Sequence, residues 1–136
     1  MISMKQFLRF LSFTPSLAGI LLQGYISFVL PEGRFDVSFV WLFLYSCLPY
    51  AICCAVAAKA NSPAGFFGAL AALINDAVTF HDVFIAPTHS TAPIGLLLAP
   101  LANLILFMPV GLIVGWVTDH AVHAYRARDK TPAMKS

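Results

Sequence analysis

The sequence predicts an all-α fold: an integral membrane bundle of four transmembrane helices with both termini cytoplasmic. Three observations carry that expectation. Hydrophobic residues make up 60% of the 136-residue chain and charged residues 10%, with a mean hydropathy of +0.83, far from the balance of soluble domains. The charges fall in narrow gaps between apolar runs, each long enough to cross a bilayer, which takes about 20 residues. With four spans, seven of the eight basic residues (Lys5, Arg9, Lys59, Arg126, Arg128, Lys130 and Lys135) collect on the side of the termini, and only Arg34 lies opposite. This bias satisfies the positive-inside rule, and a miscounted span would scramble it. The chain is then one domain, residues 1–136, with spans at about 7–30, 37–59, 63–86 and 94–118 and a short basic cytoplasmic tail at 119–136.

The first span begins with Lys5 and Arg9, whose stems snorkel to the headgroups while the apolar part enters the bilayer. A cleaved signal peptide is the rival reading. The apolar run through Leu30 outlasts the 7–15 residues typical of a signal core, and no A-x-A-like site precedes Glu32, so the helix is expected to be retained. Thr14, Pro15 and Ser16 mark a kink or break. Gln23 lies deep in the span, where a lone amide is ordinarily a helix-to-helix hydrogen-bonding group worth about 1 kcal/mol. Pro31, Glu32 and Gly33 form an external turn.

The second span is aromatic in its outer half (Phe39, Trp41, Phe43, Tyr45, Tyr50), as expected of interfacial anchors, and small in its inner half (Ala51, Cys53, Cys54, Ala55, Ala57, Ala58). Pro49 bends it. Cys47, Cys53 and Cys54 fit neither a disulfide framework nor a zinc spacing. The vicinal pair has the form of an intramembrane thiol relay, but buried cysteines acting as small hydrophobes are far commoner.

Ser62 and Pro63 supply an N-cap and a first helical residue for the third span. Gly65, Gly68, Ala72, Asn75, Thr79, Asp82 and Ala86 follow an unbroken 3,4 repeat, and each is small or polar. The bulky residues, such as Phe66, Phe67, Leu70, Leu73 and Ile74, lie off this line. Such a seam is expected to face inward, where small residues admit a neighbouring backbone and polar ones find partners. Asp76 flanks the seam. Counted along the helix it lies about 18 Å from the cytoplasmic end and about 15 Å from the outer end, near the midplane. An acid there costs about 2.5–3.5 kcal/mol on insertion scales and is buried, paired or functional. No Lys or Arg of the chain matches its depth, so its expected partners are Asn75, Gln23, Asn103, a hydroxyl, water or a basic group of another protein. Asp76, Asn75, Asn103 and Gln23 are the intramembrane polar candidates. His81 is expected at the interface and Asp82 at the external mouth.

A short polar loop bounded by Pro87 and Pro93 leads to the fourth span, where Pro100 and Pro109 flank Asn103. Proline is ordinarily frequent in membrane helices, so a broken transport helix is the less favoured reading. Gly111 and Gly115 form a G-x-x-x-G pair that lets a helix of the bundle, or of a second copy, pack closely. With Gly65, Gly68 and Ala72 they complete the expected packing set. In the tail, His120 and His123 share a face beside Asp119. They are weak metal candidates that lack a third ligand and a fixed surround, so no metal is expected. Arg126, Arg128, Lys130 and Lys135 read as anchors to anionic lipid rather than as a nucleic-acid surface.

No nucleophile, base and orienting group occur together at a defined spacing, so no catalytic residue is expected, and no motif names a cofactor. The first functional expectation is a multi-pass protein of a cell membrane, of the bacterial inner-membrane kind. It would act without catalysis as an accessory, regulatory, assembly or immunity-type factor. Its partners are the lipid bilayer and another membrane protein or a second copy of itself. The alternative is a small oligomeric transporter or channel for a cation or proton, with Asp76, Asn75 and Asn103 along the path. Four helices enclose little lumen, so that version requires self-association.

Overall fold

The computed structural model describes residues 4–30, 36–60, 62–87 and 92–129. They form helices α1 (Met4–Gly24), α2 (Val37–Ala60), α3 (Ala64–Phe80), α4 (Ala92–Ala102) and α5 (Met108–Asp129). Single π-helical turns extend α1 at Tyr25–Val29 and α3 at His81–Ile85, and a third, Asn103–Phe107, joins α4 to α5. Four continuous helices result, Arg9–Val29, Val37–Lys59, Ala64–Ile85 and Ile94–Asp129, each long and apolar enough to cross a membrane.

The wide turn in the last of these has a local cause. Pro109 brings no N–H to the ladder and its ring crowds the carbonyl one turn back. Just before it, the Met108 N–H bonds to the Asn103 carbonyl, five residues back instead of four. The helix thereby passes Pro109 without ending, while Pro100 lies inside α4.

Packing contacts fix the arrangement. Gly19 faces Tyr50 and Gly24 faces Phe43, so α1 and α2 run antiparallel. Gly65 meets Ala57 and Gly68 meets Cys53, which sets α2 and α3 antiparallel. Gly111 lies on Phe67 and Gly68, and Gly115 on Ala64, so α5 runs back along α3. The Tyr25 and Phe80 rings, with centroids 6.4 Å apart, sit at one level of the parallel pair α1 and α3. Helix α3 is central: it packs on α1, α2, α4 and α5, most extensively on α5.

The buried line of α3 is Ala64, Gly65, Gly68, Ala69, Ala72 and Asp76. The seam expected from the 3,4 repeat therefore holds only in its first half. Asp82 and Ala86 are exposed and Thr79 is half-buried, because the inward face follows the residues whose neighbours come closest and then turns to Asp76. One other reading changes: Tyr50, expected among the interfacial rings, is fully buried. Helix α5 carries on past the end of the span into the tail as far as Asp129, so the helix from Ile94 is 36 residues, or about 54 Å, long. That is well beyond the ~30 Å of a hydrocarbon core. At the start of α3 the Ala64 N–H donates to Ser62 Oγ at 3.3 Å. The expectations placed on Pro31, Glu32, Gly33 and Arg34, on loop residues 88–91, and on Lys130 and Lys135 lie outside the described residues.

Candidate functional site

Each of the four long helices contributes to one polar cluster, with Asp76 as its hub. Gln23 on α1 donates from Nε2 to Asp76 Oδ2 at 2.7 Å. The Tyr50 hydroxyl on α2 donates to the same oxygen at 2.6 Å. Asn103 Nδ2, at the π-helical turn of the last helix, donates to Oδ1 at 2.6 Å. Asn75 then donates from Nδ2 to Asn103 Oδ1 at 3.0 Å, and the Thr79 hydroxyl holds the Asn75 carbonyl at 2.9 Å. Asp76 is 2% exposed, Gln23 6%, and Tyr50 and Asn103 0%.

The sequence builds this cluster with small residues around large polar ones. At Gly19 a Cβ would overlap the Tyr50 ring, so only glycine lets that ring lie flat against α1 and carry its hydroxyl to Asp76. Asn103 uses both ends of its amide, accepting from Asn75 and donating to Asp76, and such chains polarise and strengthen one another in a low-dielectric interior. The three groups that touch the carboxyl are all neutral. Three donors at 2.6–2.7 Å thus satisfy the carboxyl oxygens in place of a cation. In this arrangement Gln23 and Asn103 present their amide N–H groups, and Tyr50 its O–H, to the Asp76 oxygens.

The structure brings all four intramembrane candidates, Asp76, Asn75, Asn103 and Gln23, into this one cluster. Asn75 is half-buried and joins it through Asn103, not merely as a seam residue. Tyr50 was missed. Its depth was the available signal: it stands 13 residues after Val37, about 20 Å along the helix, too deep for an interfacial ring. No protein-family model matches the chain, and comparison with curated proteins and with solved structures finds no match.

Below the polar cluster, toward the end where α3 begins and α5 continues, the packing set meets backbone to backbone. A Cβ at Gly65 would come 2.6 Å from the Cys53 carbonyl oxygen, and one at Gly68 3.1 Å from Cys53 Sγ. A Cβ at Gly111 would overlap the Phe67 carbonyl oxygen, and one at Gly115 the Ala64 Cα. The G-x-x-x-G pair is thus occupied inside the bundle by α3. Cys53 is buried packing material, while Cys47 and Cys54 are half-buried free thiols.

His120 and His123 are both exposed. Their Nδ1 atoms rest on backbone carbonyls one turn back, of Trp116 at 3.0 Å and of Asp119 at 2.9 Å. Among the described residues no group of three His, Cys, Asp or Glu side chains is placed to hold a metal. At the other end, exposed His81 and Asp82 approach to 3.4 Å.

Proposed function

We propose that this chain is a multi-pass membrane protein with both termini on the cytoplasmic side, and that it acts without catalysis by binding another membrane protein through its outward faces. One observation carries the proposal: the polar side chains near the midplane are turned on one another, so the bundle's own assembly accounts for them. Asp76 is closed off by three donors from three helices and is 2% exposed. In that role it latches the four spans in register. What remains toward the lipid is apolar and broad, including Trp41, Leu44, Ile74, Ile105, Val110 and Ile113, and such faces are where a membrane partner would seat. The charge bias of the termini supports the orientation, and a bacterial inner membrane is the setting in which we place it.

The transport reading stands second. It is supported by an acid near the midplane whose three partners are all neutral, and by the widened helical turn beside it, a feature frequent at functional sites. Burial of the carboxyl argues against a standing path.

The two readings part in one experiment. Purified protein in vesicles should pass protons and monovalent cations no faster than empty vesicles, with Asp76→Asn indistinguishable. In mild detergent it should co-purify with one membrane protein at fixed stoichiometry, and Val110→Trp or Ile105→Trp on an outward face should release that partner. Asp76-dependent flux from the pure protein would sink the proposal.

A further inference from the structure

At the end of the bundle that carries the tail, residues of α2, α3 and α5 line a groove of about 520 Å³. Its walls include Val56, Leu112 and Ile113, and its rim is Trp116, Asp119 and His120. The walls are apolar and the rim polar. If the Asp76 layer lies at the bilayer midplane, then counting along the helix from Asn103 puts Leu112 about 14 Å and Asp119 about 24 Å from it. A hydrocarbon half-thickness is about 15 Å. The groove then begins among acyl chains and opens among headgroups. An amphipathic slot crossing that boundary has the form of a lipid.

The rim selects the headgroup. Asp119 presents a carboxylate with 31% of its side chain exposed. The neighbouring His123 Nδ1 lies nearer its backbone carbonyl, at 2.9 Å, than its Oδ1, at 3.5 Å. Trp116 is 57% exposed, and the His120 ring, with centroids 4.1 Å apart, steadies it from one side. A carboxylate beside an indole suits a cation, through the ring's quadrupole as well as the ion pair. It disfavours a headgroup that carries only negative charge. A primary ammonium also donates hydrogen bonds to the carboxylate, which a quaternary one cannot. Arg126 is a further seven residues along α5, about 10 Å away. It is not among the residues that line the groove.

We propose that this groove binds one phospholipid with a primary-amine headgroup, the ammonium on Asp119 and Trp116 and an acyl chain along Val56, Leu112 and Ile113. The inference rests on the membrane reading above but not on what the protein's partner is.

The test uses the full chain with Trp41→Phe, which leaves Trp116 as the sole tryptophan. It is reconstituted into phosphatidylcholine bilayers with increasing fractions of chain-brominated phosphatidylethanolamine, phosphatidylglycerol or phosphatidylcholine. Trp116 quenching gives a relative binding constant for each. The ethanolamine lipid should exceed both others by about threefold, the scale of one part-exposed ion pair, and Asp119→Asn should abolish the excess while Arg126→Gln preserves it. Equal constants, a preference for choline or glycerol headgroups, or a preference that survives Asp119→Asn would overturn the proposal. Flotation of the same vesicles is the separate check: a chain that fails to float with lipid would overturn the membrane reading itself, and the groove with it.

Discussion

At its Asp76 level α3 meets its neighbours through hydrogen-bonding side chains; about two to three turns earlier, at Gly68 and Gly65, it meets them through glycine, alanine and backbone. Both regions join α3 to α2 and to the last helix, by opposite physics. The polar layer is directional: each donor has one place to go, and leaving one unmatched in an apolar interior costs about 1–3 kcal/mol. The glycine region is steric. It gains from many weak contacts at short range, has no polar group to strand, and fails only when an added atom forces the helices apart. A bundle in lipid has no hydrophobic drive between its helices, so it needs the second kind for closeness and the first kind for register.

The largest effect should follow from emptying the hub. Asp76→Leu strands Gln23, Tyr50 and Asn103 at once, and on the scale of unmatched buried donors it should destabilise the protein by about 3 kcal/mol or more. Asp76→Asn keeps the shape and one acceptor oxygen, and its loss should be nearer 1–2 kcal/mol. Denaturant unfolding of the purified chain in detergent checks both. If Asp76→Leu stays within experimental error of the parent, the polar layer is not what holds the spans in register.

Next comes the steric region. Gly115→Val would drive a side chain into the Ala64 backbone, and overpacking of this sort costs about 1–3 kcal/mol. Asp76 stands 12 residues from Ala64, about 18 Å along α3, and sites so separated usually add within about 0.5 kcal/mol. The double variant Gly115→Val with Asp76→Asn should therefore lose the sum of the single losses. A large departure from additivity would show that the two regions act as one unit.

The contrast also explains what the sequence made legible. Four helices and their rough extents were readable because each is a long, nearly uninterrupted apolar run, enough to cross a membrane. Asp76, Asn75, Asn103 and Gln23 were readable as candidates because polar groups in such runs are costly. Their convergence was not. It depends on the relative rotation of four helices, and one repeat on α3 left Asp76 beside the seam when packing turned it to the centre. The outer half of that seam failed for the same reason: Asp82 and Ala86 keep the spacing but lie exposed. Tyr50 was hidden by its chemistry, since the same residue type serves as an interfacial anchor. Its partner Gly19 carried no pattern at all, lying in no glycine motif.

That partnership yields a smaller and sharper effect. Tyr50→Phe removes one of three donors to Asp76 and leaves the ring in place, so it should cost about 1 kcal/mol. Gly19→Ala pushes the ring off α1 and should remove the same hydrogen bond by displacement. In the pair, the hydroxyl's contribution is lost only once, so the double variant should lose less than the sum. Strict additivity would mean that Gly19 acts on helix packing alone and belongs to the steric class.

The smallest effect isolates what glycine means in this chain. Gly95 lies in the first turns of α4, and a Cβ built there meets nothing within 4 Å. Alanine loses less backbone entropy than glycine when a helix forms, so Gly95→Ala should stabilise by up to about 1 kcal/mol. The same substitution at Gly111, whose Cβ would overlap the Phe67 carbonyl oxygen, should destabilise. The opposite signs, measured in one unfolding series, separate close approach from intrinsic helix preference. If both substitutions destabilise equally, a feature other than backbone contact makes glycine necessary, and the steric half of the comparison falls.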